Sequence, residues 1–195
     1  MNVITLDFET YYDTEHSLAH LSAVQYVHSP LFKVWGVGIK MNDEPTEWFG
    51  AEECADAIAQ IQWAEAAVVC HNTLFDAYIL TQYYKVYPKY YYDTAAMARG
   101  LAPNESSSLK NTCERMFPND KTMRKGDELV NAKGIFDLPP DIEEQIASYC
   151  IQDVDLTYAL YNVMQPNYPQ SELDLIDLTC RMYVEPKLFL NRTLL

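Results

Sequence analysis

The sequence has 195 residues, 49% of them hydrophobic, and a formal net charge of −14. That length and apolar content predict one globular domain with a sizeable core and exclude a disordered chain. The acidic charge excludes a general nucleic-acid coat protein, but it allows one that meets nucleic acid through bound metal and a small local basic patch. No apolar run approaches the roughly 18 residues of a membrane span, and no basic-then-apolar leader opens the chain. Cys54, Cys70, Cys113, Cys150 and Cys180 are widely spaced without a Cys-x-x-Cys pair. They suit small core residues in a reducing compartment, not a disulfide framework or a zinc site.

Residues 3–6 form an apolar, β-branched run predicted as a buried strand. Asp7 and Glu9 follow two apart, so strand alternation puts both carboxylates on one face and Leu6 and Phe8 on the other. Two like charges there repel and lose hydration unless a divalent cation neutralises them; a solvated strand end is the plain alternative. Residues 11–29 read as a loop with a short helix. Residues 33–40 and 46–49 read as a hairpin around a turn at 42–45. Residues 51–64 are predicted as an amphipathic helix bearing Cys54, Ile58 and Ile61. A fourth strand over 66–70 ends at His71-Asn72 and leads into a helix over about 74–84. Tyr90, Tyr91 and Tyr92 read as a fifth strand, with Asp93 or Thr94 capping the next helix through Met97 and Leu101. Ser106 or Ser107 is expected to cap a helix running to Phe117. Residues 118–140 carry Lys121, Arg124, Lys125 and Lys133 with little periodicity, as in a long mobile segment.

A long helix over 141–164 follows, with Ile142, Ile146, Cys150 and Val154 at four-residue intervals and Leu160 six residues on. A last amphipathic helix spans 172–183. The pattern predicts an α/β domain: a mixed five-stranded sheet flanked by helices, with the first and fourth strands adjacent. Asp7, Glu9 and Asn72 then share the opening at the strand ends. Asp76 reaches it from the helix after the fourth strand. Tyr149 and Asp153, four apart on the apolar face of the long helix, point inward, and a buried aspartate there needs a partner. Asp155 faces the other way and is expected to be solvated. Four carboxylates with few bases among them describe a site for two hard divalent cations.

On these residues the chain resembles the DEDD (DnaQ-like) 3′–5′ exonucleases of ribonuclease-H-like fold. More narrowly, it resembles the tyrosine-subfamily proofreading exonuclease domain of bacteriophage-type family A DNA polymerases. Asp7, Glu9 and Thr10 match the first motif, Asn72, Phe75 and Asp76 the second, and Tyr149 and Asp153 the third. Residues 26–39, and Asp93-Thr94 with Ala98-Arg99, also look phage-like. None of His16, His20, His28 and His71 lies in the third motif, where the sister subfamily has its histidine. The resemblance covers about residues 1–164. It implies an exonuclease domain over 1–165, then a C-terminal helix and junction over 166–195 toward a missing polymerase region or partner.

The resemblance further implies two divalent cations, Mg2+ or Mn2+, on Asp7, Glu9, Asp76 and Asp153, roughly 3.5–4 Å apart. The implied reaction is hydrolysis of the 3′-terminal phosphodiester of single-stranded DNA, releasing nucleoside monophosphates, as proofreading for a DNA polymerase in the cytoplasm (of a bacterial host if the protein is viral). Tyr149 is implied to position the attacking water, since a phenol of pKa about 10 is a poor base at neutral pH. Thr10 and Asn72 are implied to touch the terminal nucleotide, and Phe75 to pack on a terminal base or fill core. The alternatives are an RNA-directed exonuclease of the same superfamily and a catalytically idle binding module.

Other features have plain readings. His71 and Cys70 are neighbours on a strand and point to opposite faces, against a metal pair. Tyr83, Tyr84, Tyr87 and Tyr90 to Tyr92 form either a base-stacking platform or core with wet hydroxyls. Lys121, Arg124 and Lys125 either grip phosphates or lie in a solvated loop. Ser106 to Ser108 suit a helix cap better than a nucleophile. Glu185 to Asn191 looks like the start of a polymerase junction, and Leu188, Phe189, Leu190, Leu194 and Leu195 suggest a packing surface. Closure of the site is expected to depend on how the 118–140 segment is ordered.

Overall fold

Five strands, β1 (Asn2–Thr10), β2 (Val34–Met41), β3 (Glu47–Gly50), β4 (Ala66–Cys70) and β5 (Tyr90–Asp93), form one sheet in the order β3-β2-β1-β4-β5. The computed structural model describes residues 1–125 and 132–187. The centre of the predicted 118–140 segment and the apolar ending from Leu188 lie outside the described residues. β1 pairs antiparallel with β2 and parallel with β4, as the β-α-β-α pattern predicts. β4 is buried along its whole length, which suits a strand covered on both faces.

Alternation along β1 divides the molecule. Ile4, Leu6 and Phe8 enter one core with Val37, Val68, Ile79 and Leu80. Burial of each such side chain contributes about 1.5–3 kcal/mol. Ala67 and Val69 of β4 enter the opposite core, and Val3 packs against it. Asp7 and Glu9 continue that second face.

Seven α-helices flank the sheet among the described residues: α1 (Ala23–Val27), α2 (Cys54–Ala59), α3 (Thr73–Tyr78), α4 (Thr94–Leu101), α5 (Leu109–Met116), α6 (Pro140–Met164) and α7 (Gln170–Val184). α6 starts on Pro140, whose missing N–H is harmless in a first turn, with Asp141 and Glu143 favourably placed beside it. It lies across β1 and β2. Gly38 permits this approach: a Cβ there would sit 2.9 Å from Cys150 Sγ and 3.0 Å from Val154 Cγ2. α7 covers the β5 edge, where Asp177 Oδ1 accepts the Tyr91 N–H at 2.8 Å.

Three predicted elements differ in detail. The 51–64 helix is confined to α2, followed by a 3-10 turn at Trp63–Glu65; the Trp63 indole N–H donates to Ile58 O at 2.9 Å and closes the chain there. The 74–84 helix widens after Tyr78 into a π turn over Ile79–Tyr83. Thr81 Oγ1 is bonded to Ala77 O and Val184 O, both at 2.9 Å, and disturbs the regular ladder. Ser108, not Ser106 or Ser107, caps α5, with its Oγ accepting from Asn111 N at 3.3 Å. Asp93 caps α4 as expected. In the tyrosine cluster Tyr91 and Tyr92 are core, while Tyr83 and Tyr87 are exposed. No helix among the described residues is long and apolar enough to cross a membrane.

Candidate active site

β1, α3 and α6 each deliver acids to one place. Asp7 and Glu9 are half-buried at the end of β1, opposite Gly38 and Gly36 of β2. The ladder then shifts between Glu9 and Thr10, leaving Trp35 as the extra residue of β2. Such bulges bend a strand and re-aim its side chains. Between β4 and α3 the chain turns sharply through Asn72, which adopts a left-handed conformation at φ 73° that asparagine tolerates. This turn brings buried Asp76 back onto β1, where its Oδ1 accepts the Phe8 N–H at 3.0 Å. α6 supplies half-buried Tyr149 and buried Asp153 on its inner face. Among the described residues, donor atoms of Asp7, Glu9 and Cys150 lie within 4.8 Å of one another.

The charges act on one another. Burial, then the charge of Asp153, raises the Asp7 carboxyl from 3.8 to about 7, although Lys125 and the Cys150 thiol pull it down. Burial, then Asp7 and Asp153, pushes Glu9 well above the usual carboxylate range. Burial and Asp7 do the same to Asp76. Asp153 is also raised by burial, with Lys125 opposing. Four acids that resist ionisation together mark a place where added positive charge is favourable. Asp153 Oδ1 is moreover buried without a hydrogen-bond partner. An orphaned carboxylate oxygen beside clustered oxygen donors fits a hard divalent cation.

Lys125 corrects the sequence expectation. It neither lies in a solvated loop nor stands free for phosphate. Its Nζ forms an ion pair with Asp153 Oδ2 and lies 4.6 Å from the centre of the Tyr149 ring. The sequence signal was indirect: a dense acid cluster needs a countercharge, and the 121–125 stretch is the basic one. Without periodicity, nothing aligned it with α6.

The other predicted contacts vary. Thr10 is buried, and its hydroxyl lies 2.8 Å from the Tyr26 hydroxyl. Phe75 is half-buried and meets the Tyr26 ring edge-on at 5.8 Å, so it fills core. Asn72 is exposed. His71 has both ring nitrogens engaged, by Thr94 Oγ1 at 2.9 Å and Ser107 O at 2.8 Å. Asp155 is exposed, as expected, and is bonded to Thr46 Oγ1 at 2.6 Å and Lys40 Nζ at 3.2 Å. Tyr26 was missed as a support; it stacks on buried His16 with ring centres 4.2 Å apart.

A protein-family model described as 3′–5′ exonuclease matches residues 54–168. That span holds Asp76, Tyr149 and Asp153; Asp7 and Glu9 precede it and join them through β1. The fold is similar to that of RNase D from Trypanosoma brucei, with a TM-score of 0.70 at 15% identity, covering 98% of this chain and 68% of that one. It is also similar to the catalytic core of RRP6 from the same organism, with a TM-score of 0.64 at 15% identity, covering 98% of this chain. This chain spans 52% of that RRP6 chain. NrnC of Brucella melitensis with bound Mg2+ gives a TM-score of 0.59 at 14% identity, covering 97% of this chain and 90% of that one. No curated protein matches the sequence significantly.

Proposed function

The chain belongs to the 3′–5′ exonuclease family, and from that premise we propose that it is a tyrosine-type, two-metal enzyme removing nucleoside monophosphates from single-stranded 3′ ends. The convergence of four mutually perturbed carboxylates, one with an orphaned oxygen, carries this reading. Asp7, Glu9, Asp76 and Asp153 would hold two divalent cations, Mg2+ or Mn2+. Bound there, these supply an acidified water and neutralise charge on the leaving 3′ oxygen.

The protein's own groups do the rest. The phenol of Tyr149 is kept neutral: burial raises its pKa, as do the charges of Asp153 and Glu9, outweighing the opposing pull of Lys125. It therefore donates a hydrogen bond that orients the attacking water and does not serve as the base. Because the Thr10 hydroxyl is engaged by Tyr26, Thr10 meets the terminal nucleotide through its main chain. Asn72, exposed at the mouth, offers its amide. Phe75, half-buried, supports the pocket through Tyr26.

RNA is the substrate class supported by the similarity to a solved RNase D. A second reading, DNA proofreading beside a polymerase, is supported by the likeness of the three motifs to family A polymerase exonuclease domains. Same-sequence DNA and RNA strands in competition separate the two. Faster shortening of the RNA strand is expected; a DNA preference would transfer the assignment to proofreading. An idle module would bind no manganese in calorimetry.

A further inference from the structure

The acid site contains a cation of its own. Lys125 Nζ is paired with Asp153 Oδ2, and the two side chains are only 22% and 8% exposed. The ammonium lies over the Tyr149 ring, 4.6 Å from its centre, within range of a cation–π attraction. The main chain beside it is pinned to α6, since Gln152 Nε2 donates to Arg124 O at 3.0 Å. Arg124 in turn donates from Nη2 to Pro118 O at 3.0 Å. One oxygen of Asp153 is thus satisfied by a monovalent cation while the other, Oδ1, is buried without a partner.

We propose that Lys125 is a positioning residue that stands in for metal: it holds Asp153 and Tyr149 in place in the metal-free site and withdraws when a divalent cation binds Asp153. An ammonium in contact with one carboxylate oxygen and a divalent ion on the same group would be a few ångströms apart. In a half-buried site that repulsion is far stronger than in water. The lysine side chain has a flexible four-carbon stem, so Nζ can leave while the pinned main chain stays. Pairing and metal binding oppose each other, and the opposition is reciprocal. The inference rests on the two-cation reading of the site.

The test is the reactivity of the Lys125 amine toward acetic anhydride, mapped by mass spectrometry on the native chain. Lys187, whose side chain is 83% exposed, serves as the internal reference. Without metal, Lys125 should react about tenfold more slowly than Lys187, because its amine is committed to a charge-assisted bond. Saturating Mn2+ should raise the Lys125 rate severalfold and leave Lys187 unchanged. Calorimetry on the same sample reports whether Mn2+ is bound. Bound Mn2+ with an unchanged or slower Lys125 reaction overturns this inference and leaves the exonuclease reading standing; absence of Mn2+ binding overturns both. In a second arm, Lys125→Met keeps the apolar stem and removes the charge. It should bind Mn2+ about tenfold more tightly; equal or weaker binding overturns the inference.

Discussion

Asp7 shows what the site does to a single residue. Its carboxyl is raised from 3.8 to about 7 by burial and by Asp153. Between those two values the folded chain keeps a proton that the unfolded chain has released, so stability falls as pH rises through that window. In metal-free buffer, urea unfolding should therefore show Asp7→Asn gaining on the parent from about pH 4 to about pH 7. The gain is on the order of 1–2 kcal/mol, given that the group is half-buried. Mn2+ should abolish the advantage; a pH-independent difference would refute the electrostatic account. Catalysis is the other residue-scale readout. Asp153→Ala should lose about a thousandfold in rate with the circular dichroism unchanged. Tyr149→Phe keeps the ring and loses the hydroxyl proposed to orient the attacking water, so on that proposal kcat should fall about 10- to 100-fold with little change in KM.

At the scale of elements, the site depends on how closely α6 approaches β1 and β2. Gly38 opposes Asp7 and faces Cys150 and Val154. Gly38→Ala should cost about 1–3 kcal/mol through overpacking, measured by urea unfolding, and should lower activity by displacing α6. Unchanged stability and activity would mean that this contact does not set the site. The elements forming the cage were legible in the sequence. β1 declared itself by alternation, and α6 by its four-residue stripe from Ile146 to Val154. The π turn after α3 was not legible, because Thr81 answers to Val184 O, 103 positions away. Ser108 took the cap from its two neighbours, a choice among three adjacent serines that composition does not encode.

Over the whole molecule, the chain is acidic while its proposed substrate is a polyanion. Arg99, Lys110, Arg115, Lys121 and Arg124 all fall between 99 and 124. Their stretch joins the mouth at Ser107, which bonds His71, and at Arg124, whose carbonyl bonds Gln152. Weak, salt-sensitive strand binding follows. Affinity for a single strand should fall about twentyfold between roughly 50 and 200 mM salt if about three phosphates are contacted. A salt-independent affinity would place the contact elsewhere. The placement of Asp7, Glu9, Asp76, Tyr149 and Asp153 could be anticipated from spacing. Lys125 could not, since its position follows from the charge balance of the folded site and from no local pattern.

The most direct measurement of the central claim uses 5′-labelled single strands incubated with Mg2+, with Mg2+ plus a chelator, and with Asp153→Ala. The account predicts stepwise shortening from the 3′ end with release of mononucleotides in the first case, none with the chelator, and shortening about a thousandfold slower with Asp153→Ala. Shortening that persists with the chelator, or cuts inside strands whose 3′ ends stay intact, would contradict it.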